Sequence, residues 1–534
     1  MPKNNESKAY FESSFDVSNK NLRSYFGRIV KGQPEVYDTP FAKGESTSLL
    51  MKRWMAILKS IDKEWPTLWD YEVDLANKVG PMSIMLPLKE RMDDIDSYYE
   101  GVLLPSKPVN HSAIAATRGE WSKLRGLDVR SQRRTIELMK KSTNSGSPYF
   151  RKRRDVTDQT APCRVWFDSA QVVQQLSSDR WNAAAILGWR GQEGGPADAD
   201  VKQRVVWMFP YSVNICELQV YQPLIEAAQR FDLVPAWVSM DSVDRSITRM
   251  FDTKRESDLV VCTDFSKFDQ HINSDLQSVA QELLTDILTK GSKSASEWLV
   301  DVFPIKYMIP LAYDWNTVRF GQHGMGSGSG GTNCDETLIH RTLQYEAAIT
   351  NDAKLNPYSQ CLGDDGVLTY PGITVEDVVK AYSSHGLEMN ESKQYASTQD
   401  CTYLRRWHHI NYRQGGVCVG VYSTCRALGR LRYLERYHNP EWWDAKAVAL
   451  RQLSILENVK YHPLKEEFVD FCMKRDKYRL GLDIPGFLDD IEGIAKKYVE
   501  HMPDFLSYTR TLESGGDPVG GIGSWWIVNY LKSK

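Results

Sequence analysis

Leu259-Val-Val-Cys-Thr-Asp-Phe-Ser-Lys-Phe-Asp269 and, much later, Ser359-Gln-Cys-Leu-Gly-Asp-Asp-Gly-Val-Leu-Thr-Tyr370 are the stretches whose reading decides the fold. Leu259 to Cys262 reads as a short buried strand ending at Thr263-Asp264, because a brief apolar, β-branched run bounded by polar residues fits a strand enclosed on both faces. Ser359 to Tyr370 reads as strand, tight turn, strand, since Asp-Gly in a two-residue turn is a strong hairpin signal. Asp264, Asp364 and Asp365 then stand at the ends of short buried strands. Carboxylates there are costly to desolvate without a positive partner. A divalent metal is the natural partner, and magnesium takes one or two carboxylates plus substrate phosphates. Two such ions can activate an attacking oxygen and stabilise a leaving one, which is what phosphoryl and nucleotidyl transfer needs.

Outward from these strands, a helix is expected from about Ser274, with Leu276, Val279, Leu283 and Ile287 on one face and Gly291 as its stop. The glycine-rich loop His323-Gly-Met-Gly-Ser-Gly-Ser-Gly-Gly-Thr332 follows, then a helix to about Ile349. The loop lacks the Gly-Lys-Ser/Thr of a P-loop and the Gly-x-Ser-x-Gly of a nucleophile elbow. A helix start beside it suits close approach of backbone to a ligand better than a flexible linker does. Thr374 to Ser384 carries apolar residues at helical spacing behind a capping pair, Thr374 and Asp377. The order strand, helix, loop, helix, hairpin, helix argues for a mixed sheet packed by helices. Further out, residues 46–64 read as an amphipathic helix, Val201 to Phe209 as β-rich, and the last 130 or so residues as mainly helical. The polar N-terminus, Met1 to Asn21, is expected to be loose.

Composition narrows the class. With 534 residues, three or four modules are expected. Hydrophobic content of 42% and charged content of 25% suit a soluble globular chain. Net charge is −3, so the chain as a whole does not advertise nucleic-acid binding. Its distribution does: Arg130 to Arg154 holds nine Lys or Arg against a single acid, Glu137, either a phosphate-backbone footprint or a solvated basic face. Nine scattered cysteines without a C-x-x-C pair fit free thiols in a reducing compartment. The sequence has neither an 18-residue apolar run nor a secretory leader pattern.

Taken together and in order, these motifs resemble those of viral RNA-dependent RNA polymerases, most closely those of double-stranded RNA viruses of the picobirnavirus and partitivirus kind, over about residues 142–407. The resemblance implies an α+β, helix-rich right-hand fold with fingers, palm and thumb, the palm built on a small antiparallel sheet. It implies an N-terminal extension over residues 1–60 bridging fingers and thumb, fingers over 61–204, palm with interleaved fingers segments over 205–410, and thumb with C-terminal tail over 411–534. It implies Asp264 and Asp364 as ligands of two Mg2+ (or Mn2+) ions with Asp365 in support, and Lys393 as the acid that protonates departing pyrophosphate. Lys202 and Arg204, with Arg190, would clamp the triphosphate. Asp269 would read the ribose together with Thr332, and Ser327-Gly328 would begin the loop that senses the nascent pair. Ser145-Gly146-Ser147-Pro148 would guide the template, and Leu404-Arg405-Arg406 would form the primer grip. The expected partners are RNA template, product duplex, nucleoside triphosphates and viral capsid protein, without a membrane, in the virion interior and host cytoplasm.

One position departs from the pattern. Many polymerases of single-stranded RNA viruses have Asn four residues after the loop threonine, whereas this chain has Glu336 there and Asn333 directly after Thr332. A carboxylate cannot donate to a ribose hydroxyl unless protonated, which leaves Asn333 as the alternative partner of Asp269. His408-His409, adjacent in a strand, point to opposite faces and read as structural. Trp525-Trp526 read as a packing anchor, with a glycine-hinged tail that reaches the catalytic cavity as the rival reading. A reverse-transcriptase-like palm enzyme would share the carboxylates, but usually places a bulky aromatic where Asp269 stands. A non-catalytic RNA-binding protein of the virion would not need Asp364.

Overall fold

The computed structural model describes residues 4–169, 171–502 and 519–534. Its central sheet is built from the two deciding stretches. Strand Val260–Thr263 lies between Tyr395–Ser397 and Asp365–Leu368, and the latter pairs onward with Gln360–Leu362; every pairing is antiparallel. The helix behind it, Thr332–Thr350, is buried along most of its length, including the polar Asp335, Glu336, His340, Arg341 and Gln344. Ser274–Ile287 packs against that helix and starts where the Asn273 side chain accepts from the Leu276 N–H. Val375–Ser383 starts under the Thr374 hydroxyl, which accepts from the Asp377 N–H. The expected helix over 46–64 is an α-helix, Thr47–Leu58, capped by Ser46 and continued by a 3-10 turn, Lys59–Lys63.

A second sheet holds Lys202–Met208 antiparallel to Ala185–Gln192, whose other edge pairs in parallel with Leu311–Asp314. Three short strands, Arg164–Asp168, Gln171–Gln175 and Arg180–Asn182, form a third. A fourth is the hairpin Asp400–Tyr403 and Arg406–His409 with Val421–Tyr422.

Two large apolar cores hold these layers. The first runs from Tyr10 to Cys418 and contains the central sheet. The second joins Phe41 to Leu68 with Trp407 to Leu531. The N-terminus is therefore not loose from residue 4 on. Asn4–Ser14 and Lys20–Lys31 are helices, and Tyr10, Phe11, Phe15, Leu22, Phe26 and Ile29 are buried. A few large aromatics spaced among polar residues bury enough surface to dock a short helix, although the segment reads as polar overall.

The end of the chain also docks. Ile527, Val528 and Leu531 are buried in the second core, and Glu457 accepts the Trp526 and Ile527 N–H groups at the start of helix Trp526–Lys532. From 519 on the tail is thus a packing anchor, as Trp525-Trp526 suggest; residues 515–518 of the proposed tail lie outside the described residues. All nine cysteines are free thiols. Among the described residues no helix is long and apolar enough to cross a membrane.

Candidate active site

Register sets the geometry. Gly366 pairs with Thr263, Val367 with Cys262 and Leu368 with Val261. The ladder therefore ends where Asp264 leaves one strand and Asp364 and Asp365 enter the other, and the acids meet at one edge of the sheet. Gly363 makes the turn at φ +58°, a left-handed conformation that suits glycine. The buried helix holds this turn from behind: Thr337 Oγ1 accepts the Gly363 N–H, and His340 Nδ1 donates to the Gly363 carbonyl. Burial drops His340 to a pKa of about 4, so it is neutral. Asp264 is fixed through its backbone: Gln394 Oε1 accepts its N–H at 2.7 Å, and Gln394 Nε2 donates to its carbonyl at 2.8 Å. Gln394 is a residue that sequence reading missed, although it follows Lys393, which is exposed on a 3-10 turn.

The acids are crowded. Removal from water raises the Asp364 carboxyl, and Asp269 and Asp264 raise it further, while Arg204 opposes them. Asp365 is pushed by burial, and next by Asp364, to about 7; its Oδ2 accepts the Leu404 N–H at 2.8 Å, so it faces the 400–409 hairpin. Glu336 is buried, and burial followed by the neighbouring Asp269 carboxylate raises it well above the usual range. Both influences favour the protonated, neutral form of Glu336. In that form a carboxylic acid can donate a hydrogen bond as an amide does.

Cations face the acids. Arg190 stands opposite Arg204 and Gln192 opposite Lys202 in their ladder. Desolvation, then Arg405, lowers Arg204; desolvation, then Lys78, Arg204 and Arg405, lowers Lys202. Both shifts mark positive charge that an anion would relieve. Arg190 pairs with Glu435.

The glycine loop is clamped between these groups. The Met325 N–H donates to the Asp269 carbonyl, and a Cβ on Gly324 would lie 2.3 Å from that oxygen. A Cβ on Gly328 would lie 1.6 Å from the Trp207 carbonyl oxygen, so only glycine fits there. Ser327 Oγ accepts the Trp207 N–H, and Asn214 donates to the Gly328 carbonyl. Thr332 Oγ1 donates back to the Gly326 and Ser329 carbonyls. Asn333 is exposed and accepts from Trp237 Nε1 at 2.7 Å, which occupies its carbonyl end. Two buried acids that sequence reading also missed stand at the loop's C-terminal end. Glu217 accepts from Ser329 Oγ and the Gly330 N–H. Asp335, in the first helical turn, pairs with Lys306 Nζ at 3.0 Å and accepts from the Tyr221 and Tyr307 hydroxyls.

Other expected contacts turn inward. Ser145, Gly146, Ser147 and Pro148 are all buried. Ser147 Oγ donates to the Ser14 carbonyl and Ser145 Oγ accepts the Arg151 N–H, so the exposed groups beside them are Arg151, Lys152 and Arg154. The basic stripe is partly structural: Arg130 pairs with Glu226, and Arg153 donates to Asn214. In the grip hairpin, Leu404 and Arg405 form the turn with positive φ, and Arg405 is exposed. Arg406, which the resemblance sets in the primer grip, turns inward. It is buried, donates to both Asp244 oxygens at 2.7 and 3.0 Å and reaches the Gly420 carbonyl.

The donor set fits magnesium or manganese, since the crowded acids offer hard oxygens with no thiolate or imidazole among them. Among the described residues no three His, Cys, Asp or Glu side chains converge to hold an ion unaided. A site of two carboxylates leaves coordination positions for substrate phosphates.

Comparison with known proteins gives the same reading. A family model described as viral RNA-dependent RNA polymerase matches residues 55–418. A protein of Human picobirnavirus named "Potential RNA-dependent RNA polymerase" is 62% identical over 524 residues, covering 97% of this chain and 98% of that protein. A crystal structure of the RNA-dependent RNA polymerase of a human picobirnavirus superposes with a TM-score of 0.93 at 60% identity, covering 98% of this chain and 99% of that one. Its insertion-loop deletion mutant superposes with a TM-score of 0.92 at the same identity and coverage. A likeness of this extent, carried on a sheet edge where crowded acids face a cationic ladder, means that the chain belongs to the viral RNA-dependent RNA polymerases and is a nucleotidyltransferase.

Proposed function

We propose that the chain joins ribonucleoside triphosphates on an RNA template by a two-metal mechanism centred on Asp264 and Asp364, replicating and transcribing a viral RNA genome. The observation that carries this is the antiparallel register that brings both acids to one strand edge opposite Lys202, Arg204 and Arg405. Asp264 and Asp364 would hold the ions, and Asp365 braces the turn through Leu404. Bound Mg2+ or Mn2+ supplies the charge that eases ionisation of the primer 3′ hydroxyl and offsets charge on the departing pyrophosphate.

The remaining work falls to the chain. Arg204 and Lys202 receive the triphosphate, and Arg190 joins them. Asp269, backed by the Glu336 proton, accepts from the ribose 2′ hydroxyl, while Ser327, Gly328, Thr332 and Asn333 shape the loop above the nascent pair. Lys393 Nζ delivers a proton to pyrophosphate. Arg405 is the grip residue that faces nucleic acid, and Arg151 and Lys152 steer template phosphates past the 145–148 turn with salt-sensitive affinity. In this reading residues 1–60 bridge fingers and thumb, 61–204 are fingers, 205–410 palm with interleaved fingers segments, and 411–534 thumb and tail; residues 1–60 contribute side chains to both apolar cores. The capsid shell is the expected partner, with work in the virion interior and host cytoplasm. The polar Asp269 and the relatives count against a reverse transcriptase, and the crowded acids against a non-catalytic virion protein.

The test uses purified protein, a single-stranded RNA template and labelled ribo- or deoxyribonucleotides, with each metal in turn. Incorporation should require a divalent ion, stop with EDTA and favour ribonucleotides; equal use of deoxyribonucleotides would refute the ribose reading. Glu336→Gln mimics the protonated acid and should keep the ribonucleotide preference. Glu336→Ala removes the donor; a lost hydrogen bond to a charged group costs about 1.5–3 kcal/mol, so the preference should fall roughly ten- to a hundredfold. Equal preference in the two variants would rule out the proton-sharing pair.

A further inference from the structure

Arg190 is the expected triphosphate ligand that already holds an anion. Its Nε meets Glu435 Oε1 and its Nη2 lies 3.5 Å from Oε2, the two-pronged approach a guanidinium also makes to phosphate. The arginine side chain is 54% exposed and the glutamate 12%, so the arginine is the more solvent-accessible member of the pair. Its neighbour across the ladder is Arg204. Like charges directly opposite on a sheet are unfavourable, and an anion on Arg190 relieves the pair.

Glu435 comes from a different part of the molecule. It follows helix Thr424–Arg432 of the second core, and the segment around it is tied to the N-terminal region: the Leu434 N–H donates to the Tyr37 carbonyl, and the Tyr37 and Tyr437 rings lie 5.8 Å apart. The carboxylate is thus carried to the ladder by its own anchored segment. A triphosphate brings more charge to the same guanidinium, and the fork can turn towards it while the strand stays in place.

We infer that Glu435 stands in for a substrate phosphate on Arg190, so that each incoming triphosphate must displace it and the ion pair sets triphosphate affinity. This rests on the reading of Arg190 as a triphosphate ligand. Loss of Glu435 lowers KM for the nucleotide and leaves kcat nearly unchanged, because the pair acts before chemistry. The test measures single-nucleotide incorporation on a primed RNA template with Mg2+ for the unsubstituted protein, E435Q, R190Q and the double variant. Exposed ion pairs are modest, so E435Q is expected to lower KM about two- to fivefold, R190Q to raise it, and the double variant to match R190Q. A KM that E435Q leaves unchanged or raises, while R190Q raises it, overturns the competition and spares the Arg190 reading. A fall in KM that persists without Arg190 also overturns the competition. A KM indifferent to R190Q overturns the Arg190 reading itself, and the competition with it. Thermal melting of each variant separates these outcomes from misfolding.

Discussion

Asp364→Asn is expected to lower nucleotide incorporation by on the order of a thousandfold or more while leaving the fold at least as stable. The loss follows from removing one charged oxygen from a site where charge develops in the transition state. The second half follows from the crowding. Desolvation and the neighbouring Asp269 and Asp264 raise the Asp364 carboxyl, so its charged form is disfavoured in the folded chain, and a neutral amide of the same shape relieves that repulsion. Single-turnover incorporation and thermal melting, measured on one preparation, check both parts. Near-normal incorporation would remove Asp364 from the chemistry. A large drop in melting temperature would make it structural.

Lys306→Met is expected to destabilise the protein by about 3–5 kcal/mol, because it leaves Asp335 as an uncompensated buried charge. Lys306 and Asp335 are both fully buried, 3.0 Å apart. The ammonium also lies over the Phe303, Tyr307 and Tyr221 rings, at 3.7, 5.0 and 5.5 Å. The Tyr221 hydroxyl donates to Asp335 Oδ1 and the Tyr307 hydroxyl to Oδ2. Lys306→Met/Asp335→Asn removes both charges and should recover part of the loss. Urea midpoints decide the matter: a single variant within about 1 kcal/mol of the parent would mean that the pair is not balanced in the way its geometry implies. Because Asp335 opens the helix that ends the glycine loop, the single variant should also weaken nucleotide binding before it unfolds.

What was legible in the sequence was local. Asp-Gly at 365–366 announces a hairpin, and the apolar run before Asp264 announces its strand, so the edge that carries Asp264 and Asp364 is legible in the sequence alone. The Thr374 cap and the Ser274 start were legible for the same reason: a cap is written within a few residues of the helix it begins. Partnerships across the chain were not. Arg406 and Asp244, Arg190 and Glu435, and Gln394 with the Asp264 backbone are pairings that no local pattern encodes. Arginine looks the same in sequence whether it meets a phosphate or a buried aspartate, so the sequence does not separate Arg405 from Arg406, whose guanidinium is taken up by Asp244. Ser145 and Ser147 sit in a Gly/Pro loop typical of surfaces, yet their hydroxyls serve backbone groups. Glu336 is legible as a departure from the pattern, but what favours its neutral form, burial beside Asp269, is a property of the fold.

The second apolar core has a consequence for how the polypeptide is made. It joins Phe41 to Leu68 with residues that begin at Trp407 and end at Leu531. On a ribosome, Leu50, Trp54 and Leu58 emerge early, and their partners are added only as translation finishes. Until then that greasy face has nothing to cover it, and nascent chains in this condition are prone to clump. A product terminated shortly after residue 400 therefore retains Asp264, Asp364 and Asp365 but not the lining that would keep it from aggregating.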